Sequence, residues 1–168
     1  MKPKKLVFLS MLTAIALTIF LVEAQIPAPV PVPGVKLGLS NIVTTYAVFT
    51  LGPGSAGAIL TVRVILGAVF SGRITSLIYS ACGGALALLV CILLRRLLTR
   101  KQIWVAGVIS AMFHNLGQIL AAILVTRTPQ LMGYLPILMV TGILAGLFTG
   151  LAAQALIQHM DRLSRNRG

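Results

Sequence analysis

Polar side chains buried in apolar runs are the residues best placed to do chemistry in this chain. Arg63 lies inside the apolar stretch that follows residue 57. An intramembrane guanidinium costs roughly 2.5–3.5 kcal/mol on insertion scales, so it must face protein or a wet cavity and have an anionic or carbonyl partner. That partner is either a set of helix-end carbonyls or an anionic group on a ligand. Ser110, His114 and Gln118 recur at four-residue spacing, which stacks them on one helix face with Asn115 beside them. At mid-membrane depth such a stripe either lines a cavity or ties helices together by hydrogen bonds.

The missing residue types exclude several chemistries. Against 14 Lys and Arg there are only two acids, Glu23 and Asp161, which the predicted topology puts at opposite ends of the molecule. Magnesium-assisted chemistry on diphosphates needs several convergent carboxylates, and acid–base hydrolysis usually needs a pair. Neither set can be assembled, so an enzyme is not expected. No GxxxxGK[ST] loop is present, and any energy from ATP has to come from a partner. Cys82 and Cys91 fall in one predicted helix, too far apart along it to bridge, and read as small apolar packing residues. With no CxxC and no His pair at ligand spacing, neither a metal nor a cofactor is expected.

The elements that position these residues follow from composition. The chain is 58% hydrophobic and 10% charged, with a mean hydropathy of +1.01. That is the make-up of an all-α polytopic membrane protein in contact with lipid. Apolar runs predict six transmembrane helices near residues 6–22, 38–51, 57–71, 75–94, 103–125 and 134–158, within one integral membrane domain over 1–168. The net charge of +12 clusters at helix ends, where anionic lipid and the positive-inside rule account for it and nucleic acid is not required. A cytoplasmic N-terminus puts Lys2, Lys4 and Lys5, the basic loop 95–102 and the basic tail 159–168 on one side. Only Lys36, Arg73 and Arg127 then fall outside, and both termini are cytoplasmic. A competing reading of the N-terminus is a secretory signal, with Val22 and Ala24 at the small positions before Gln25; the apolar run is long for one.

Between the first two runs, prolines at 27, 29, 31 and 33 fix φ and remove backbone donors. This segment is expected to be a stiff outer lid, spanning 23–37 with its flanks, over an outward-facing site. The stretch from Gly52 to Gly57 predicts a tight turn. Gly142, Gly146 and Gly150, at strict four-residue spacing, predict a packing seam on the sixth helix. Ser10, Ala14 and Thr18 form a looser version on the first, for packing within the chain or for docking another membrane protein.

The string PGVKLGLSNI at 33–42, the LGPGSAG turn at 51–57, RVILG at 63–67 and HNLGQ at 114–118 resemble the membrane family labelled heptaprenyl diphosphate synthase component I, or Gx transporter. The likeness runs over nearly the whole chain. More distantly, the order of a helix, a proline-containing outer loop ending in a lysine–leucine strip, and a glycine–proline turn resembles the substrate-binding S components of energy-coupling factor (ECF) transporters.

That second resemblance implies a six-helix bundle that captures a scarce nutrient at the outer face of a prokaryotic plasma membrane. It also implies a lid over 26–36 hinged at Lys36 and Asn41, and partners comprising a shared transmembrane subunit and two ATPases. Arg63 stands where many members of that family carry an acid. Lys36, Asn41, Arg63, Arg73, His114, Asn115 and Gln118 are then the expected ligand contacts, and their positive charge favours a ligand with a phosphate, carboxylate or diphosphate. The alternative is a noncatalytic membrane anchor for a prenyl diphosphate synthase or quinone-linked enzyme. A stand-alone carrier is a third possibility, though no inverted repeat is visible.

Overall fold

Apolar runs bounded by basic clusters and glycine–proline breaks form α1 (Pro3–Glu23), α2 (Asn41–Thr50), α3 (Pro53–Ser71), α4 (Ile74–Arg95), α5 (Ile103–Thr126) and α6 (Leu135–Arg165). A 3-10 turn over Pro129–Tyr134 leads into α6. The computed structural model describes residues 3–26, 36–72 and 74–165, apart from the side chains of 164 and 165. Among the described residues there is no strand. The proline run at 27–33, on which the expected lid rests, and Arg73 lie outside them.

Five helices are long and apolar enough to cross a bilayer, and α2 is not one of them. The predicted span at 38–51 is therefore corrected. Ten helical residues at about 1.5 Å each cover only about half of a hydrocarbon core roughly 30 Å thick. The helix is short because Gly38 adopts φ 81° and Glu23 takes the amides of Gly38 and Leu39, so residues 36–40 are held as irregular backbone. The predicted turn at 52–57 also contracts. Gly52, at φ 94°, is its pivot, and Pro53 opens α3 at once, where its missing N–H costs no helical hydrogen bond.

Contacts between elements define the architecture. α1, α3, α4, α5 and α6 touch one another in that order, and α1 does not touch α6 among the described residues, so the five spanning helices form an open arc. The short α2 touches every one of them and occupies the interior. Its start lies at mid-depth, because Ser40 bonds Arg63 halfway along α3, and it ends where Gly52 sits beside Arg95. Residues 36–40 and α2 together return the chain from the Glu23 end of the bundle to the Arg95 end. Arg100 pairs with Asp161 at that same end, which joins the α4–α5 loop to the end of α6.

Two apolar clusters make the core. One, containing Leu9, Leu12, Tyr46, Cys91, Ile103 and Ile157, fills the half of the bundle that α2 occupies. The other, with Tyr79, Ile119, Ala122 and Leu138, joins α4, α5 and α6 in the opposite half. Large apolar side chains such as Val69, Phe70, Leu124 and Phe148 point outward, as a lipid-facing surface requires. Of the two cysteines, Cys91 is buried as expected, whereas Cys82 is exposed on the outer side of α4 and does not serve core packing.

Candidate functional site

Residues 36–40 and the first turn of α2 are surrounded by side chains from α1, α3, α4 and α5. Polar side chains collect there. Glu23, Ser40, Asn41, Thr44, Arg63, Ser76, His114 and Gln118 are each more than nine-tenths buried.

Glu23 closes α1 and turns inward. One of its carboxylate oxygens accepts the Gly38 amide at 2.6 Å and the other the Leu39 amide at 3.0 Å. Three residues back on the same helix face, Phe20 presents its ring to two cations. Lys36 Nζ is 3.3 Å from the ring centroid and Arg63 Cζ is 5.7 Å from it. Gly67 makes room for that ring, since a Cβ there would come within 2.6 Å of it. The Lys36 amide donates to Gln118 Oε1 at 3.1 Å, which ties the irregular segment to α5.

Arg63 donates through Nη1 to Ser40 Oγ, while its Nε and Nη2 have no hydrogen-bond partner among the described residues. Both polar atoms of Asn41, Thr44 Oγ1 and Gln118 Nε2 are likewise buried and unsatisfied. Orphaned buried polar atoms are rare in folded proteins, and each carries a desolvation cost of about 1–3 kcal/mol. The His114 ring is wedged between two glycines. A Cβ at Gly38 would lie 2.7 Å from its Cδ2, and one at Gly83 would lie 3.0 Å from its Nδ1. Arg63 and His114 are within electrostatic reach of each other, and so are Arg63 and Glu23.

Of the residues singled out in the sequence, Lys36, Asn41, Arg63, His114 and Gln118 therefore converge. Asn115 turns away and donates to the Leu138 carbonyl at 2.5 Å, across from Gly142. Gly146 and Gly150 lie against α5, where an added Cβ would meet Val108 Cα at 2.6 Å and the Trp104 carbonyl at 2.7 Å. Ser10, Ala14 and Thr18 are exposed on α1, and the two hydroxyls bond back to the carbonyls of Leu6 and Ala14. Sequence reasoning missed Glu23, Phe20, Ser40 and the glycines at 38 and 83. Composition offered one hint of Glu23, since a membrane arginine needs a counter-charge and the chain has only two acids, but its place at the end of an apolar run reads as an ordinary helix-end charge. An apolar recess of about 370 Å³ lies elsewhere, between α3 and α4, lined by Ile65, Ala68, Val69, Gly72, Ile74 and Leu77. It offers no side chain for polar recognition.

Five apolar spanning helices around a buried polar layer are those of a multi-pass membrane protein. The family model for heptaprenyl diphosphate synthase component I matches residues 12–156, and the chain belongs to that family. No curated protein and no solved structure matches it. The described residues contain no group of three or more His, Cys, Asp or Glu side chains able to hold a metal ion.

Proposed function

We propose that this protein is a substrate-binding subunit of an ECF-type importer, capturing a small polar or anionic metabolite for ATP-driven uptake by partner subunits. The observation that carries this reading is the layer of enclosed, unsatisfied polar atoms around Arg63. A protein that only holds helices together gains nothing from burying such groups without partners, whereas a binding site presents them to a ligand. Lys36, Asn41, Arg63, His114 and Gln118 are the contacts; Asn115 faces α6 instead, and Arg73 lies outside the described residues. The site then faces outward, with the basic end of the bundle and both termini in the cytoplasm of a prokaryotic cell, in keeping with the positive-inside rule. The chain itself is not an enzyme, and the partners are a transmembrane coupling subunit and two ATPases. The exposed Ser10, Ala14 and Thr18 stripe is a candidate docking face for that subunit.

The family's own description supports a second reading, a noncatalytic membrane component that anchors a prenyl diphosphate synthase. Affinity purification from native membranes separates the two. Recovery of a membrane coupling subunit with ATPases supports capture and uptake. Recovery of a soluble synthase without them supports the anchor and sinks the first reading.

A further inference from the structure

The free edge of Arg63 narrows the chemistry of the ligand. A guanidinium has two hydrogen-bonding edges that can present paired donors. Ser40 uses Nη1, and what remains is the edge formed by Nε and Nη2, whose N–H bonds run parallel and match two oxygens of one planar anionic group. Both atoms are buried, on a side chain that is 1% exposed.

Formal charge fixes the second constraint. The two acids of the chain are both accounted for: Asp161 pairs with Arg100 at the basic end, and only Glu23 reaches the site. Each Glu23 oxygen there accepts a backbone amide, as a carboxylate does, and Lys36 and Arg63 lie nearby. Among the described residues, Lys36 and Arg63 against the Glu23 carboxylate leave the layer with one formal net positive charge. An enclosed site of low polarity is most stable when its charges balance, so the complement is a single negative charge.

We propose that the site takes a small monocarboxylate, held bidentately by the Nε–Nη2 edge of Arg63, with Gln118 Nε2 and the Asn41 amide meeting polar groups on the body of the ligand. A phosphate monoester carries a charge of about −1.5 to −2 at neutral pH, and a diphosphate carries more, so both exceed the charge that the described residues balance. This inference rests on the capture reading and names the class of its substrate.

Benzoate and benzamide test it, because they share a shape and differ in charge. With the full-length protein in detergent, we expect benzoate to raise the unfolding temperature in a saturable manner while benzamide and inorganic diphosphate do not. Arg63→Gln should weaken benzoate binding by about tenfold to a hundredfold. Arg63→Lys, which keeps the charge and loses the fork, should recover little of it. The inference is overturned if benzoate has no effect, if benzamide acts equally, if diphosphate stabilises more than benzoate, or if Arg63→Lys binds benzoate as wild type does. The wild-type probe comparison stands even if the Gln variant does not fold. Co-purification of the ATPases reports on the capture reading separately. Loss of the benzoate effect with the ATPases still recovered sinks the monocarboxylate and leaves capture intact, and the converse result does the opposite.

Discussion

Glu23 holds two successive backbone amides on separate oxygens, and this is what keeps residues 36–40 out of helix. Glu23→Gln removes the charge and leaves one good acceptor oxygen for two amides. We expect a loss of about 1–3 kcal/mol, together with faster hydrogen exchange at the Gly38 and Leu39 amides. Exchange at those two amides as slow as in wild type would show that something else holds the segment. Gly38→Ala acts on the same segment through conformation. A left-handed φ of 81° costs an L-residue about 1–2 kcal/mol, and the new methyl would press on the His114 ring, so this variant should unfold at a clearly lower temperature. Arg63, His114 and Gln118 were legible in the sequence because a polar group in an apolar run demands an explanation whatever it touches. Glu23 was not, because it ends such a run and looks like an ordinary helix-end charge. Its role depends on amides 15 and 16 positions further along, a pairing that no local pattern encodes.

At the scale of elements, α5 is the scaffold. Half of its spanning window is buried, against 28% for α1, and it presents glycine to neighbours on two sides. Gly117 meets the Cys82–Gly83 backbone of α4, while Gly107 meets Gly146 and Gly150 of α6. Substituting Gly146 with Leu forces α5 and α6 apart, and we expect poor yield of folded protein and a cost above about 3 kcal/mol. By contrast Gly54, in the first turn of α3, has no atom within 4 Å of an added Cβ. Gly54→Ala should leave thermal stability unchanged or raise it by about 0.5–1 kcal/mol, and a large loss there would contradict the described start of α3. The glycine spacing in α6 was readable as a seam, and the structure identifies α5 as the surface opposite. The five spanning helices were also readable from hydropathy, although α6 runs on to Arg165, past the predicted end at 158. The length of α2 was not, since residues 38–51 are apolar enough for a span and only contacts from α1 and α5 shorten the helix.

For the molecule as a whole, Gly52 against Arg95 and Arg100 against Asp161 put the chain reversals and the end of α6 at one end of the bundle. Single cysteines replacing Lys5 and Arg162, in a background lacking Cys82 and Cys91, should be labelled by an impermeant reagent from the same side of sealed vesicles. Labelling from opposite sides would overturn this arrangement. The Arg100–Asp161 pair itself is largely exposed, so Asp161→Asn should change stability by less than about 1 kcal/mol. The brevity of α2 also bears on how the protein is made. Ten residues are too few to partition into lipid alone as they leave the ribosome, where about 20 are needed. Their natural unit of insertion is the hairpin closed by Gly52 and Pro53, which carries α2 into the bilayer with α3. Arg63 enters as part of the same unit and has Ser40 as a hydrogen-bonding partner from the outset, before α5 and its histidine have been synthesised.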